Sequence, residues 1–243
     1  MRTDDCKILK NQEIAPGIFV MEAETEIAKE VRPGQFVQVK VPGFFLRRPI
    51  SVCDTTDTSL FLVYRVAGQG TREMSHLRTG EEVSFFGPLG NGFPIEEREV
   101  LLIGGGIGVP PLLRTAKEYR KKNIPVSIAL GFNSAKEIIL KEQFENIGCD
   151  VHIATMDGSY GTKGTALDAI HANGVKTSFV CACGPLPMLK AVSQEYQNGY
   201  ISMESRMACG MGACMGCVVK DKEGNSLRIC KDGPVFPIGK VVL

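Results

Sequence analysis

Val100-Leu-Leu-Ile-Gly-Gly-Gly-Ile-Gly-Val-Pro-Pro111 is the stretch on which the fold turns. Its opening run, Val100 to Ile103, reads as a strand buried on both faces, and the glycines after it end that strand. Pro110 and Pro111 then open a helical stretch that runs to Lys122, because proline is tolerated in the first turn of a helix and disrupts it further in. Strand, glycine turn and helix start in succession put free N–H groups and the positive end of a helix dipole in one place, which suits a phosphate. The pattern is not a strict G-x-G-x-x-G, and a tight strand–helix connection without any ligand reads the same way.

Downstream the alternation continues. Val126–Leu130, Asp150–Ala154 and Ser178–Ala182 read as strands; helical stretches follow near 136–146, at Thr165–Asn173 and at Leu186–Gln197. This is the signature of a Rossmann-like parallel sheet with helices on both faces. Gly131-Phe-Asn-Ser134 and Cys183-Gly-Pro185 follow strand ends, so the switch-point rule puts them on the ligand-binding edge. Asp157-Gly-Ser-Tyr-Gly161 reads equally as a ribose contact and as a plain turn.

Upstream the texture is different. Gly17–Met21, Gln35–Val41, Ser59–Val66 and Glu82–Phe86 are short β-branched and aromatic runs, punctuated by Pro33-Gly34, Pro42-Gly43, Thr79-Gly80 and Gly87-Pro88. Their regular spacing predicts a closed antiparallel barrel. Within it Arg48 offers a planar fork suited to pyrophosphate, with Ser51 as a nearby hydroxyl donor. Gly70 and Thr71 precede a short helical stretch, Arg72–Leu77, whose start would suit another phosphate oxygen. Taken singly, these are also a solvated arginine pair and an ordinary turn.

At the far end Cys209, Cys214, Cys217 and Cys230 are spaced C-x4-C-x2-C-x12-C and separated by Gly210, Gly212 and Gly216. Thiolates this dense, on a backbone able to turn N–H groups toward sulfur, can wrap a small inorganic core. The first three match the plant-type [2Fe–2S] spacing. Zinc also accepts four thiolates, but structural zinc sites pair two C-x2-C knuckles and this loop has one. Disulfides suit small secreted domains, whereas this chain has 243 residues, nine cysteines and a start, Met1-Arg-Thr-Asp-Asp-Cys-Lys7, without the apolar core of a signal peptide. Iron–sulfur is the favoured reading.

Lys+Arg 28 against Asp+Glu 27 gives a net charge of +1, and with it no electrostatic reason to expect nucleic acid or an anionic membrane as partner. The longest apolar tract, Val100 to Leu113, is too broken by glycine and proline to span a bilayer. His76, His152 and His171 are scattered, and they read as surface or packing residues. Cys6, Cys149 and Cys181 read as ordinary thiols, and Cys53 as a buried packing residue.

Taken in order, Arg48-Pro-Ile-Ser51, Tyr64-Arg65, Gly70-Thr71, Gly87-Pro-Leu-Gly90, Gly104-Gly-Gly106 and Cys183-Gly-Pro185 resemble the ferredoxin–NADP reductase superfamily. With Met203-Glu-Ser-Arg-Met-Ala-Cys-Gly-Met-Gly-Ala-Cys-Met-Gly-Cys217, Cys230 and Asp232-Gly-Pro-Val-Phe236 added, the chain resembles the electron-transfer subunits of class 1B dihydroorotate dehydrogenases along essentially its whole length. The resemblance implies an FAD-binding β-barrel over 1–95, an NAD-binding α/β domain over 96–200 and a small [2Fe–2S] module over 201–243. Arg48, Pro49, Ile50 and Ser51 would hold the flavin and its pyrophosphate, Val63, Tyr64 and Arg65 would line it, and Gly70 with Thr71 would cap the phosphates. Gly104, Gly105 and Gly106 would receive the pyridine dinucleotide, and Cys183, Gly184 and Pro185 would sit by the nicotinamide. Cys209, Cys214, Cys217 and Cys230 would ligate the cluster.

The implied activity is hydride exchange between FAD and NAD on this chain. Electrons would arrive through the cluster from the FMN of a dihydroorotate-oxidising catalytic subunit, in a cytoplasmic heterotetramer of two plus two that serves pyrimidine synthesis. Flavin/iron–sulfur subunits of sulfide dehydrogenases or of NADH-dependent ferredoxin–NADP reductases are the alternative, since partner choice lies in surface detail. Methionines 203, 207, 211 and 215 would suit a docking face and equally fill gaps. Two departures stand out. Ile50 occupies a position that is often aromatic in the superfamily, so flavin stacking would fall to Tyr64 or Phe236, and the gap before Cys230 is far shorter than in plant-type ferredoxins. NAD against NADP is open, with Glu137 and Asp157 as candidate ribose partners.

Overall fold

The computed structural model describes all 243 residues and divides them between a barrel and a sheet. The barrel strands are β1 (Arg2–Ala15), β2 (Ile18–Glu24), β3 (Phe36–Val39), β4 (Arg48–Thr55), β5 (Ser59–Arg65) and β6 (Glu82–Leu89), with helix α1 (Gln69–His76) between the last two. They close in the order β1-β2-β5-β4-β3-β6, every neighbour antiparallel. Ile8, Met21, Val37, Leu60, Leu62 and Phe85 fill the interior. β1 is absent from the strands that apolar alternation predicts, because along its length only Cys6 and Ile8 are buried. Its place is set by pairing: Arg2–Lys7 runs against Glu82–Gly87 and closes the barrel, removing the open edges on which strands aggregate.

The second body contains β7 (Val100–Gly105), α2 (Pro110–Lys121), β8 (Val126–Phe132), α3 (Lys141–Asn146), β9 (Asp150–Thr155), β10 (Thr162–Lys163), α4 (Ala166–Ala172), β11 (Val180–Cys183), α5 (Leu186–Glu195) and β12 (Gly199–Ser202). Its sheet is parallel from β10 through β9, β8, β7 and β11 to β12. Side chains alternate across it, as both-face burial demands. Leu102 joins Leu112, Ala116 and Phe144 beneath α2 and α3, while Leu101 and Ile103 join Ile170, Leu189 and Val192 beneath α4 and α5. The helix read near 136–146 is shorter than predicted: a 3-10 turn at Ala135–Glu137 precedes α3, and Leu140 breaks the run with φ 62°.

The C-terminal region begins with the cysteine loop. The hairpin β13 (Val218–Lys220) and β14 (Ser226–Arg228) follows, then α6 (Ile229–Asp232) and β15 (Val235–Pro237). β15 pairs antiparallel with β12, Ser202 opposite Val235, so this region completes the edge of the parallel sheet. Asn91, in the linker after the barrel, donates to the carbonyls of Asp232 and Val235 and accepts from the Val235 N–H. α2 lies against β4: Arg114 donates to the Thr55 hydroxyl and the Val31 carbonyl, and Lys117 pairs with Asp54. These contacts hold barrel, sheet and cysteine loop in one arrangement. No helix is long and apolar enough to cross a membrane.

Candidate functional site

Four cavities share walls and line a continuous trough that runs from the barrel onto the carboxyl edge of the sheet. The largest, about 810 Å³, is bounded by Arg48, the Gly68–Thr71 turn and residues 204–207. Through Pro49, Ala67 and Met207 it adjoins a second, about 320 Å³, walled by Phe36, Ile50, Ser51, Val63, Tyr64 and Pro234. Ser51, Arg65 and Ile107 are common to that one and a third, about 240 Å³, floored by Gly105, Gly106, Cys183, Gly184 and Pro185. Gly105, Gly106 and Pro185 lead on to a fourth, about 210 Å³, bounded by Gly131–Asn133, Met156 and Thr165. The carboxyl ends of β7, β8 and β11 thus meet at one edge, as parallel strands with helical crossovers require.

At the barrel end Arg48 lies against Gly70, where any side chain would collide with its guanidinium, and over the Phe44 ring at 4.6 Å. Its neighbour Arg47 turns away to donate to the Ser84 carbonyl at 2.9 Å. Thr71 caps α1, its hydroxyl accepting from the N–H groups of Ala67 and Gly68. Tyr64 and Phe236, the candidates for flavin stacking, both have their rings engaged. Tyr64 stacks on Phe19 at 5.8 Å and donates to Asn11, while Phe236 packs beneath Gly233.

At the sheet end Gly108 is pressed against the Cys183 carbonyl, and Gly105 against Met188 and Pro185, so neither admits a side chain. Gly104 stands behind them, packed on Val109, Leu112 and Leu130, and does not reach the trough wall. Burial pushes the Cys183 thiol up to about 12, with Ser202 pulling the other way, so it is neutral at ordinary pH. Arg65 reaches over to Glu137 at 2.9 Å, and Asn133 holds the other side of that carboxylate. Asp157 is occupied by Ser159, whose hydroxyl accepts the Ala135 N–H. The histidines stand apart, beside Glu73, Asp150 and Glu195 respectively.

The cysteines gather as two pairs. Cys214 donates its N–H to Cys209 Sγ at 3.4 Å, and Cys230 donates its own to Cys217 Sγ at 3.4 Å. Further N–H groups serve the sulfurs: Ala213 to Cys209 at 3.2 Å and Gly212 to Cys230 at 3.1 Å. Burial works against a charged Cys209, but the N–H groups of Met211, Cys214 and Ala213 win and bring its thiol down to about 6. Cys230 goes the other way: burial first, then the adjacent Cys217, push it up to about 12. No three His, Cys, Asp or Glu side chains group as a ligand set for a single metal ion. Two pairs of thiolates suit a two-metal core with two sulfurs per metal better than one tetrahedral zinc.

Met203, Glu204, Ser205 and Met207 line up to three of the four cavities each, although motif reading assigned them no cofactor. The signal was their place just ahead of Cys209, within the most family-specific run. Of the methionines read as a docking face, Met203 and Met207 face the trough, whereas Met211 and Met215 are exposed.

The model of the iron-sulfur cluster binding domain of dihydroorotate dehydrogenase B matches residues 204–242. The dihydroorotate dehydrogenase B (NAD(+)) electron transfer subunit of Fusobacterium nucleatum is 41% identical over 97% of each chain. That of a Geobacillus species is 42% identical over 100% of each. Among solved structures, one of the NADH-dependent reduced ferredoxin-NADP oxidoreductase superposes with a TM-score of 0.89 at 29% identity, covering 98% of this chain and 89% of that one. A ferredoxin reductase in carbazole 1,9a-dioxygenase, at 17% identity and a TM-score of 0.67, shares the fold over 79% of this chain and 64% of its own. This chain belongs to the family of dihydroorotate dehydrogenase B electron transfer subunits.

Proposed function

We propose that this chain takes electrons from a dihydroorotate-oxidising partner subunit and delivers them to NAD+, through a [2Fe–2S] cluster and an FAD that it holds. The observation that carries the reading is the continuity of the trough from Arg48 to Gly131, with the paired cysteines following directly on the segment that walls it. Family membership supplies the partner: the relatives are named electron transfer subunits of an NAD(+)-dependent enzyme. When bound, flavin exchanges two electrons as hydride with nicotinamide, and an iron–sulfur cluster moves electrons singly.

The chain's own residues do the placing. Arg48, preset against Gly70 and beside the start of α1, faces the wide cavity suited to a pyrophosphate, with Thr71 fixing the turn. Pro49, Ile50, Ser51, Val63 and Tyr64 wall the next cavity and would hold the flavin ring. Arg65, paired with Glu137, stands where the flavin and nicotinamide cavities meet. Gly105, Gly106, Gly184 and Pro185 let a nicotinamide approach the backbone closely, Gly104 sets the strand behind them, and Cys183 adds a neutral thiol. Cys209 with Cys214 would hold one iron, and Cys217 with Cys230 the other.

The catalytic partner on this reading carries FMN, in an assembly of two chains of each kind. Nine unpaired cysteines suit a reducing compartment, so we assign the cytoplasm. The alternative, a subunit of an NADH-dependent ferredoxin–NADP reductase or a sulfide dehydrogenase, draws on the 0.89 TM-score match, but the full-length relatives at 41% and 42% identity favour dihydroorotate. An anaerobic visible spectrum with iron, zinc and flavin assays tests the proposal, first with NADH and then with the dihydroorotate-oxidising subunit. One FAD and two irons per chain, with dihydroorotate-dependent bleaching only when the partner is present, are the expected result. Zinc without flavin would overturn the redox reading, and correct cofactors without dihydroorotate coupling would favour the alternative.

A further inference from the structure

Strand β3 presents Phe36 and Gln38 on the same face, as residues two apart must be. Phe36 walls the cavity assigned to the flavin ring. Gln38 is only 1% exposed, and its Nε2 donates to the Ala208 carbonyl at 3.2 Å. Ala208 sits between Met207, which lines two of the cavities, and Cys209 of the outer cysteine pair. The amide also fills the space where Gly210 lacks a side chain, so any larger residue there would displace it. One strand face therefore touches both the flavin cavity and the start of the cysteine loop.

The amide does more than fill space. Its Oε1 is buried without a partner, a cost that an apolar side chain of the same length would avoid. A flipped amide would set that oxygen against the Ala208 carbonyl, so the donor is fixed by its one contact. β3 otherwise buries Phe36, Val37 and Val39, so what glutamine adds at position 38 is the grip on Ala208.

We infer that Gln38 is a positioning residue that ties the cluster loop to the strand beneath the flavin, fixing the separation across which electrons pass. The inference rests on the cofactor assignment proposed above. Electron tunnelling falls exponentially with separation, so releasing the loop slows the flavin–cluster step while leaving hydride exchange at the other end of the trough unchanged.

The test is anaerobic stopped-flow reduction by NADH of the chain carrying both cofactors, as wild type, Gln38→Met and Gln38→His. Methionine keeps the length and removes the donor; histidine restores a donor. Flavin bleaching is expected within about twofold of wild type in both variants, with cluster reduction slowed about tenfold or more in Gln38→Met and recovered to within about threefold in Gln38→His. The Gln38→Met cluster should also show a broadened electron paramagnetic resonance signal. Cluster reduction within about twofold of wild type in Gln38→Met at full iron content overturns the inference, as does a slow Gln38→His at full iron content. Iron lost from Gln38→Met and retained in Gln38→His supports it, and iron lost from both overturns it. A wild-type chain without flavin or iron overturns the underlying cofactor assignment, and does so before any substitution is made.

Discussion

The two cysteine pairs of one loop occupy opposite environments. Cys217 and Cys230 are each 2% exposed and belong to the apolar cluster that also contains Ile229, Phe236 and Ile201. Cys214 is exposed and Cys209 half-buried, both outside that cluster. The inner pair is thus part of the core, and Cys230 is held protonated by desolvation and by the adjacent Cys217; in the outer pair the N–H groups of Met211, Cys214 and Ala213 outweigh burial, and Cys209 is already a thiolate at neutral pH. A metal core has to supply the positive charge that draws the proton from Cys230, whereas the backbone has already prepared Cys209. Folding and cluster binding are coupled mainly through the inner half.

Serine substitutions test that division most strongly. Cys217→Ser, Cys230→Ser and Cys214→Ser are each expected to lose iron. In the iron-free chain the two inner variants should also lose about 1–3 kcal/mol, for a hydroxyl set among buried apolar side chains, and the outer one under about 0.5 kcal/mol. Iron assay and urea unfolding measure both effects, and equal unfolding midpoints for inner and outer variants would show that the two pairs do not differ in burial.

Alkylation separates Cys209 from Cys230. Only thiolate attacks iodoacetamide, so in the reduced iron-free chain Cys209 should react at a rate that rises with pH and levels off above about 6. Cys230, with its thiol near 12, should stay unmodified through neutral pH. Peptide mass spectrometry reads the order, and simultaneous labelling would contradict it.

A brace between the halves should give a smaller effect. Arg228 donates to the Gly212 carbonyl at 2.9 Å and pairs with Asp232 at 3.1 Å, while the Gly212 N–H serves Cys230. Arg228→Ala should therefore release iron about threefold faster in air, at a stability cost of about 1 kcal/mol for a half-buried pair. Unchanged iron loss would show that the inner pair needs no brace.

Glu137→Gln serves as the control outside the loop, with iron content expected to stay the same. Burial acts to raise the Glu137 carboxyl, but Arg65 and Asn133 more than offset it and the net shift is downward. A depressed carboxylate contributes stability above its unfolded pKa and loses it as pH falls through its folded one. The wild type should therefore exceed the variant by up to about 1 kcal/mol at neutral pH, with the difference shrinking on acidification. A gap that widened at low pH would reverse the assigned sign.

Much of this was legible in residue order. The apolar run ending in Gly104-Gly-Gly106 predicts a buried parallel strand and its turn, and the strand–helix alternation beyond it predicts the sheet. β1 was not legible, since a strand with only Cys6 and Ile8 buried carries no apolar alternation, and pairing with β6 decides it. β15 is only Val235–Pro237, and becomes a strand because β12 offers it an edge. Gln38 carries no signal of its own within the strand Gln35–Val41, because the residue it grips lies in the cysteine loop far along the chain.

What covalent spacing sets can be read along the chain. Glycine turns after strands, proline at a helix start and C-x4-C-x2-C act within a few residues of each other, where bond geometry limits the outcomes. Folding in three dimensions sets the rest: Arg48, Arg65, Gly105 and Met203 wall one trough, two cysteines join the core while two stay outside it, and Gln38 grips Ala208. These contacts join residues up to 170 positions apart, brought together by burial of apolar surface, which acts on shape and area and carries no record of order along the chain.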